Sequence, residues 1–144
     1  MRKVINVEGK GVAFQCSALL PRIYRRAVGR DLMVDIQTLQ ESFTKVMDKG
    51  NKSKKNFDAI DLEIFENIAW AMAYHAYESE LKEINSISDH EEREKRIAAL
   101  EAVPTTPDEW LETIPGTFSI YEILPEILTL WGTSSKTTSK PAKK

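Results

Sequence analysis

The chain has 144 residues, 42% of them hydrophobic and 29% charged. That describes one ordinary domain with apolar side chains enough for a core, and it excludes a wholly disordered chain, a collagen-like repeat and a disulfide scaffold. The net charge of −2 hides a division: +7 over residues 1–57, −13 over 58–126 and +4 over 127–144, a pattern suited to a macromolecular partner or to self-association into oligomers.

Arg2–Val7 and Val12–Cys16 are short and rich in β-branched or apolar residues, and Glu8-Gly9-Lys10-Gly11 between them predicts a hairpin turn. Ser17 reads as the N-cap of a first helix that runs to Val28, with Pro21 in its first turn and Gly29 at its end. Leu19, Leu20, Ile23, Tyr24 and Ala27 form its apolar face, and Arg22, Arg25 and Arg26 fall on the other. Asp35 reads as the cap of a second helix carrying Ile36, Leu39, Phe43, Val46 and Met47, which Gly50 ends ahead of a polar, basic loop.

From Asp61 a wide apolar stripe (Ile64, Phe65, Ile68, Ala69, Met72, Ala73, Ala76) predicts the central helix, flanked by Trp70, Tyr74 and Tyr77. Residues 78–103 are charge-dense, a charged arm or surface helix that Ser88 and Glu91 would cap. Thr106-Pro107-Asp108-Glu109 starts another helix with an N-cap, a proline at the first position and a glutamate at the third, and Pro115-Gly116 stops it. Ser119 and Glu122 form a capping box, with Phe118 and Ile123 as a hydrophobic staple, for a last helix in which Pro125 sits in the second turn as a bend and Gly132 closes the end. The expected fold is therefore mainly α. It has an N-terminal β-hairpin followed by about five helices in one small helical domain, residues 1–132, and a disordered basic tail, residues 133–144.

Chemistry is sparse. His75 and His90 have no second histidine or cysteine at ligand spacing, so no metal site is expected. His75 reads as a helix-surface or partly buried residue, and Cys16 as a small core residue of a strand. The carboxylates sit beside lysines and arginines on solvated helix faces, not in a paired-acid pocket. No glycine-rich phosphate loop is present. No catalytic residue and no cofactor is therefore expected. The cysteine content, the lack of an apolar run of roughly 18 residues and the polar N-terminus MRKVINVEGKG lead to a cytoplasmic protein with no membrane partner. Arg22, Arg25, Arg26 and Arg30 with Lys52, Lys54 and Lys55 make a basic set. A nucleic-acid-binding or adaptor role for the helix around Arg22–Arg30 is the alternative reading, against which the acidic middle block weighs. Trp110 and Trp131 lie in short helices with little core of their own, and tryptophan is enriched at binding hot spots. They and Phe118, Tyr121, Leu124, Arg22, Arg25 and Arg26 are the candidate partner-binding residues.

Three stretches together resemble the tail assembly chaperones of long-tailed phages and prophages of Gram-positive bacteria. They are Tyr24-Arg25-Arg26-Ala27-Val28-Gly29-Arg30-Asp31-Leu32-Met33-Val34-Asp35, the helix from Asp61 to Ala73, and Trp110-Leu111 with the segment from Phe118 to Gly132. The resemblance spans most of the chain, with 78–103 its weakest part. It implies a non-enzymatic, mostly helical cytoplasmic protein, absent from the finished virion, that binds the tape measure protein and helps recruit tail tube subunits before they polymerise. It also implies that a longer form can arise by ribosomal frameshifting near the end of the reading frame. The tape measure protein is long and helical, and a groove near Trp110, Phe118, Leu124 and Trp131 would cover its apolar surface in helix-in-groove fashion.

Overall fold

A computed structural model describes residues 1–48, 59–116 and 120–135 of the chain. Strands β1 (Arg2–Val7) and β2 (Lys10–Gln15) pair antiparallel, from Arg2 opposite Gln15 to Val7 opposite Lys10. The turn is shorter than the sequence suggests. Glu8 and Gly9 alone form it, both at positive φ (54° and 78°), because a two-residue turn of this hand matches the twist of the strands it joins. Lys10 and Gly11 therefore belong to β2. The Asn6 side chain accepts the Gly9 N–H at 2.7 Å and ties the turn down.

One hairpin face buries Ile5, Val7 and Phe14 in the core. On the other face Arg2 and Gln15 reach the long central helix, Arg2 through Glu83 at 2.8 Å and Gln15 through Ser79 at 3.0 Å. A two-stranded sheet is marginal alone, and these contacts to a helix are what give it a place.

Helix α1 (Leu20–Val28) begins three residues beyond the expected cap. Ser17 is not at its N-cap position, because the Ser17 hydroxyl bonds the His75 ring at 2.7 Å and accepts only the Leu19 N–H, at 3.1 Å. Leu19 thus precedes the helix and stands exposed instead of joining the apolar face, and Ala27 is exposed as well. Gly29, at φ 81°, ends α1 and donates its N–H to the Arg25 carbonyl. Helix α2 (Leu32–Asp48) starts earlier than expected. Its cap is Asp31, whose carboxylate accepts the N–H groups of Met33 and Val34. Asp35 lies inside the first turn and is buried. The Gly50 stop and the basic loop fall outside the described residues.

Helix α3 (Ala59–Asn85) is the centre of the fold. Phe65, Ile68, Ala69, Trp70, Ala71, Met72 and Ala73 are all buried, so this stretch is apolar nearly all round, as a helix enclosed by neighbours must be. Trp70 belongs to this core and not to its flank. The hairpin, α1, α2 and α5 all pack on α3. It also absorbs the first part of the segment expected to be an arm. Helix α4 (His90–Ala99) follows, capped by Asp89, which accepts the Glu91 N–H, instead of by Ser88. The shift of one residue lets the carboxylate, a stronger acceptor than a hydroxyl, meet the helix N-terminus. No residue of α4 is buried.

Helix α5 (Pro107–Leu111) has the expected cap, with Thr106 accepting the Glu109 N–H at 3.2 Å. It ends before Pro115-Gly116, and the Thr113 hydroxyl donates to the Trp110 carbonyl at 2.6 Å. A 3-10 turn over Ile120–Ile123 leads into α6 (Leu124–Ser135). Phe118 and Ser119 lie outside the described residues. Pro125 falls in the first turn of α6, where a missing N–H costs no intrahelical bond, so it marks a start and not a bend. Gly132 does not close α6. It keeps a negative φ, and the helix runs on to Ser135, so residues 133–135 are helical and only 136–144 of the expected tail lie outside the described residues. The architecture is mainly helical with an N-terminal two-stranded hairpin, the fold class expected from the sequence.

Candidate interaction surface

The joint between α1 and α2 is a buried polar cluster. Asp35 is 1% exposed and Tyr24 0%. The Tyr24 hydroxyl donates to Asp35 Oδ2 at 2.7 Å, and the Arg30 guanidinium donates to both carboxylate oxygens at 2.8 Å. The bidentate arginine, more than the tyrosine, holds the Asp35 carboxyl below the usual carboxylate range. Burial, then the bond to the carboxylate, pushes the Tyr24 phenol far up. Tyr24 on α1, Arg30 in the joint and Asp35 in the first turn of α2 are thereby tied together.

Arg30 is thereby withdrawn from the basic set. Arg22, Arg25 and Arg26 are not: all three are exposed on α1 and form no ion pair among the described residues. Leu19 before them and Met33 and Val34 after them are exposed as well. The result is an exposed basic row on α1.

A second surface lies at the hairpin. A groove of about 510 Å³ runs between the strands and the segment joining α4 to α5, lined by Val4, Val7, Val12, Leu100, Trp110 and Ile114 among others. Val4 is 65% exposed. Lys10 meets Glu101 at 2.9 Å beside the groove, tying the hairpin tip to that segment.

The residues singled out from the sequence divide between these surfaces and the core. Trp110 is 5% exposed and packs edge-on to Phe14, with ring centroids 6.3 Å apart, while also lining the groove. Leu124 is buried in the core and Trp131 is half-buried against it. Tyr121 is half-buried, packs on Phe65 and donates its hydroxyl to Glu66. Burial, then that carboxylate, raises its phenol to about 12. The groove was hidden from sequence reasoning because its walls come from segments some hundred residues apart.

His75 is buried, 4% exposed, and not at the helix surface. Its Nε2 meets Ser17, while Nδ1 has no hydrogen-bond partner among the described residues. Burial, above all, lowers its pKa below the usual imidazole value. The unfolded chain therefore binds more protons than the native one as pH falls below about 6.5, and stability is lost in that direction. Urea midpoints measured from pH 8 to 5 are expected to fall for the wild type and to flatten below neutrality for His75→Gln. Cys16 is also buried, which raises its thiol pKa, as befits an unreactive core cysteine.

Among the described residues, no group of three or more His, Cys, Asp or Glu side chains is placed to hold a metal ion. No described helix is long and apolar enough to cross a membrane. The chain matches no protein-family model, no curated protein and no solved structure.

Proposed function

We propose that this protein is a non-enzymatic tail assembly chaperone of a long-tailed phage or prophage, acting in the host cytoplasm. In this reading it binds the tape measure protein and helps recruit tail tube subunits before polymerisation. The single observation that carries the binding mode is the groove between the hairpin and the α4–α5 segment, where apolar Val4, Val12, Leu100, Trp110 and Ile114 line a cleft edged by Glu8, Lys10, Glu80 and Glu101 and exposed at Val4. An amphipathic helix laid there would bury its apolar face against Val4, Leu100 and Ile114. A buried tryptophan at the centre of such a contact is the kind of anchor that dominates binding. The reading is further supported by how the three resembling stretches meet: each packs on or forms part of α3, so they make one scaffold and not three separate motifs.

The test is co-purification with the tape measure protein of the same phage or prophage. Wild-type chain is expected to retain it. Val4→Asp, a change at an exposed position that leaves the core intact, is expected to cut recovery roughly tenfold. Full recovery by a folded Val4→Asp variant would remove the groove from the mechanism. No recovery by the wild type would remove the partner itself.

A further inference from the structure

Strand β1 presents an open edge. Just before it, Met1 and Cys16 exchange backbone bonds: the Met1 ammonium donates to the Cys16 carbonyl at 2.8 Å, and the Cys16 N–H donates to the Met1 carbonyl at 2.9 Å. Bonded pairs alternate along an antiparallel ladder. Lys3, Ile5 and Val7 therefore turn their backbone groups toward β2, and Arg2, Val4 and Asn6 turn theirs outward. Among the described residues those outward groups have no backbone partner, and Arg2, Val4 and Asn6 are all exposed. The elements that meet β1 do so through its other residues. Lys3 reaches Glu126 of α6 at 3.8 Å, and Ile5 and Val7 share the core with Ile123. The outer edge of β2 differs, because Ala13 and Gln15 are half-buried and α3 packs against that strand. β1 has neither a proline nor a bulge to guard its edge, and its cations Arg2 and Lys3 are drawn to Glu83 and Glu126.

This edge is complementary to itself. Counting Met1, the paired run is 1–7, and Val4 is its midpoint. A two-fold axis at Val4 lays two copies of the run antiparallel. Val4 then meets Val4, Arg2 faces Asn6 and Lys3 faces Ile5 of the other copy, so no cation stands directly opposite a cation. Val4 is 65% exposed, and its neighbours across the hairpin, Gly11 and Ala13, are too small to cover it. Its own counterpart would cover it. We propose that two copies of this chain dimerise edge to edge through β1, forming one four-stranded antiparallel sheet in the order β2-β1-β1-β2. The occupant is a second copy because the run is symmetric about an exposed valine. Every outward backbone group of Arg2, Val4 and Asn6 gains its partner from the same three residues of the other chain. A two-stranded sheet, marginal alone, becomes four-stranded. The inference does not rest on the tape measure reading and is tested on the chain alone.

Sedimentation velocity over a concentration series is expected to show the wild type passing from monomer to dimer. Val4→Pro removes the outward N–H at the axis, which the β1–β2 ladder does not use, and should weaken the dimer roughly tenfold or more. Val4→Cys gives the decisive measurement. Opposed Cα atoms of a bonded pair lie about 5.5 Å apart, within disulfide reach, so mild oxidation should link two chains. Ala13→Cys is the control. It lies on the same face one strand further from the axis, where the two copies would be about 14 Å apart, and it should stay unlinked. The native Cys16 is buried and adds no link of its own. Circular dichroism establishes that each variant is folded. If Val4→Pro is not, Val4→Lys replaces it, sets two ammonium groups against each other at the axis, and must weaken the dimer. A wild type that stays monomeric at every concentration overturns the proposal. So does a wild type that grows into open chains, a folded Val4→Pro or Val4→Lys that dimerises like the wild type, or a Val4→Cys that links no more readily than Ala13→Cys.

Discussion

Asp35→Ala is expected to destabilise the fold by about 3 kcal/mol, read as a fall in the urea midpoint with little change in slope. The reason is what the carboxylate leaves behind. Tyr24 is fully buried and its hydroxyl has Asp35 as its acceptor at 2.7 Å, so truncation strands a polar group where water does not reach. Arg30 suffers less, because its head is half in solvent and can be rehydrated. Tyr24→Phe, which removes the donor together with the need for an acceptor, should cost less than half as much. Acid has a milder version of the same effect. The Asp35 pKa is lowered in the native state, chiefly by Arg30. The unfolded chain therefore takes up a proton first as pH falls through about 3.9, and the contribution disappears as the native pKa is passed. In Asp35→Asn this part of the acid transition should vanish. An Asp35→Ala variant as stable as the wild type would show that the cluster contributes nothing to the fold's stability.

Trp70→Ala is expected to cost more, about 4 to 5 kcal/mol. The side chain is 1% exposed at the middle of α3, stacks on Tyr74 with ring centroids 5.3 Å apart, and donates its indole N–H to the Pro104 carbonyl at 2.9 Å. Its loss leaves a cavity in the centre of the core and frees the segment that leads into α5. Trp70→Phe separates the two contributions. It keeps most of the apolar volume and loses the bond to Pro104, so a loss of about 1 to 2 kcal/mol is expected. Thermal unfolding followed by circular dichroism measures both. Equal losses for the two variants would mean that the hydrogen bond, and not the volume, is what matters there.

The elements with strong local patterns were legible from the sequence. The apolar stripe of α3, the Thr106 cap of α5 and the Gly29 stop of α1 each rest on residues within a few positions of one another. The failures have a common cause. Asp31 and Asp35 are equally good caps on paper. What separates them is Tyr24, eleven residues earlier, which needs a buried acceptor and takes Asp35 for it. Ser17 is likewise a sound cap until His75, on another element, claims its hydroxyl. Gly132 looks like a stop because glycine commonly ends a helix by taking the left-handed turn, and here the backbone does not take it. For the candidate surfaces, the arginine row on α1 is legible in the sequence, because Arg22, Arg25 and Arg26 lie within four residues of one another. The groove at the hairpin is not legible there, because its walls meet only when the strands and the α4–α5 segment are packed together, which no local window contains.

Helix α4 has a consequence of a different kind. It buries none of its side chains, and its own bonds are local: an Asp89 cap, Glu92 to Arg96, and Arg93 to the Ile87 carbonyl. Yet the chain on either side is anchored, by α3 before it and by Trp70 holding Pro104 after it. A segment fixed at both ends and uncommitted in the middle is a spacer. Its sequence and length can drift, or take an insertion, while the two anchors stay where they are, so change can accumulate there without the core having to accommodate it.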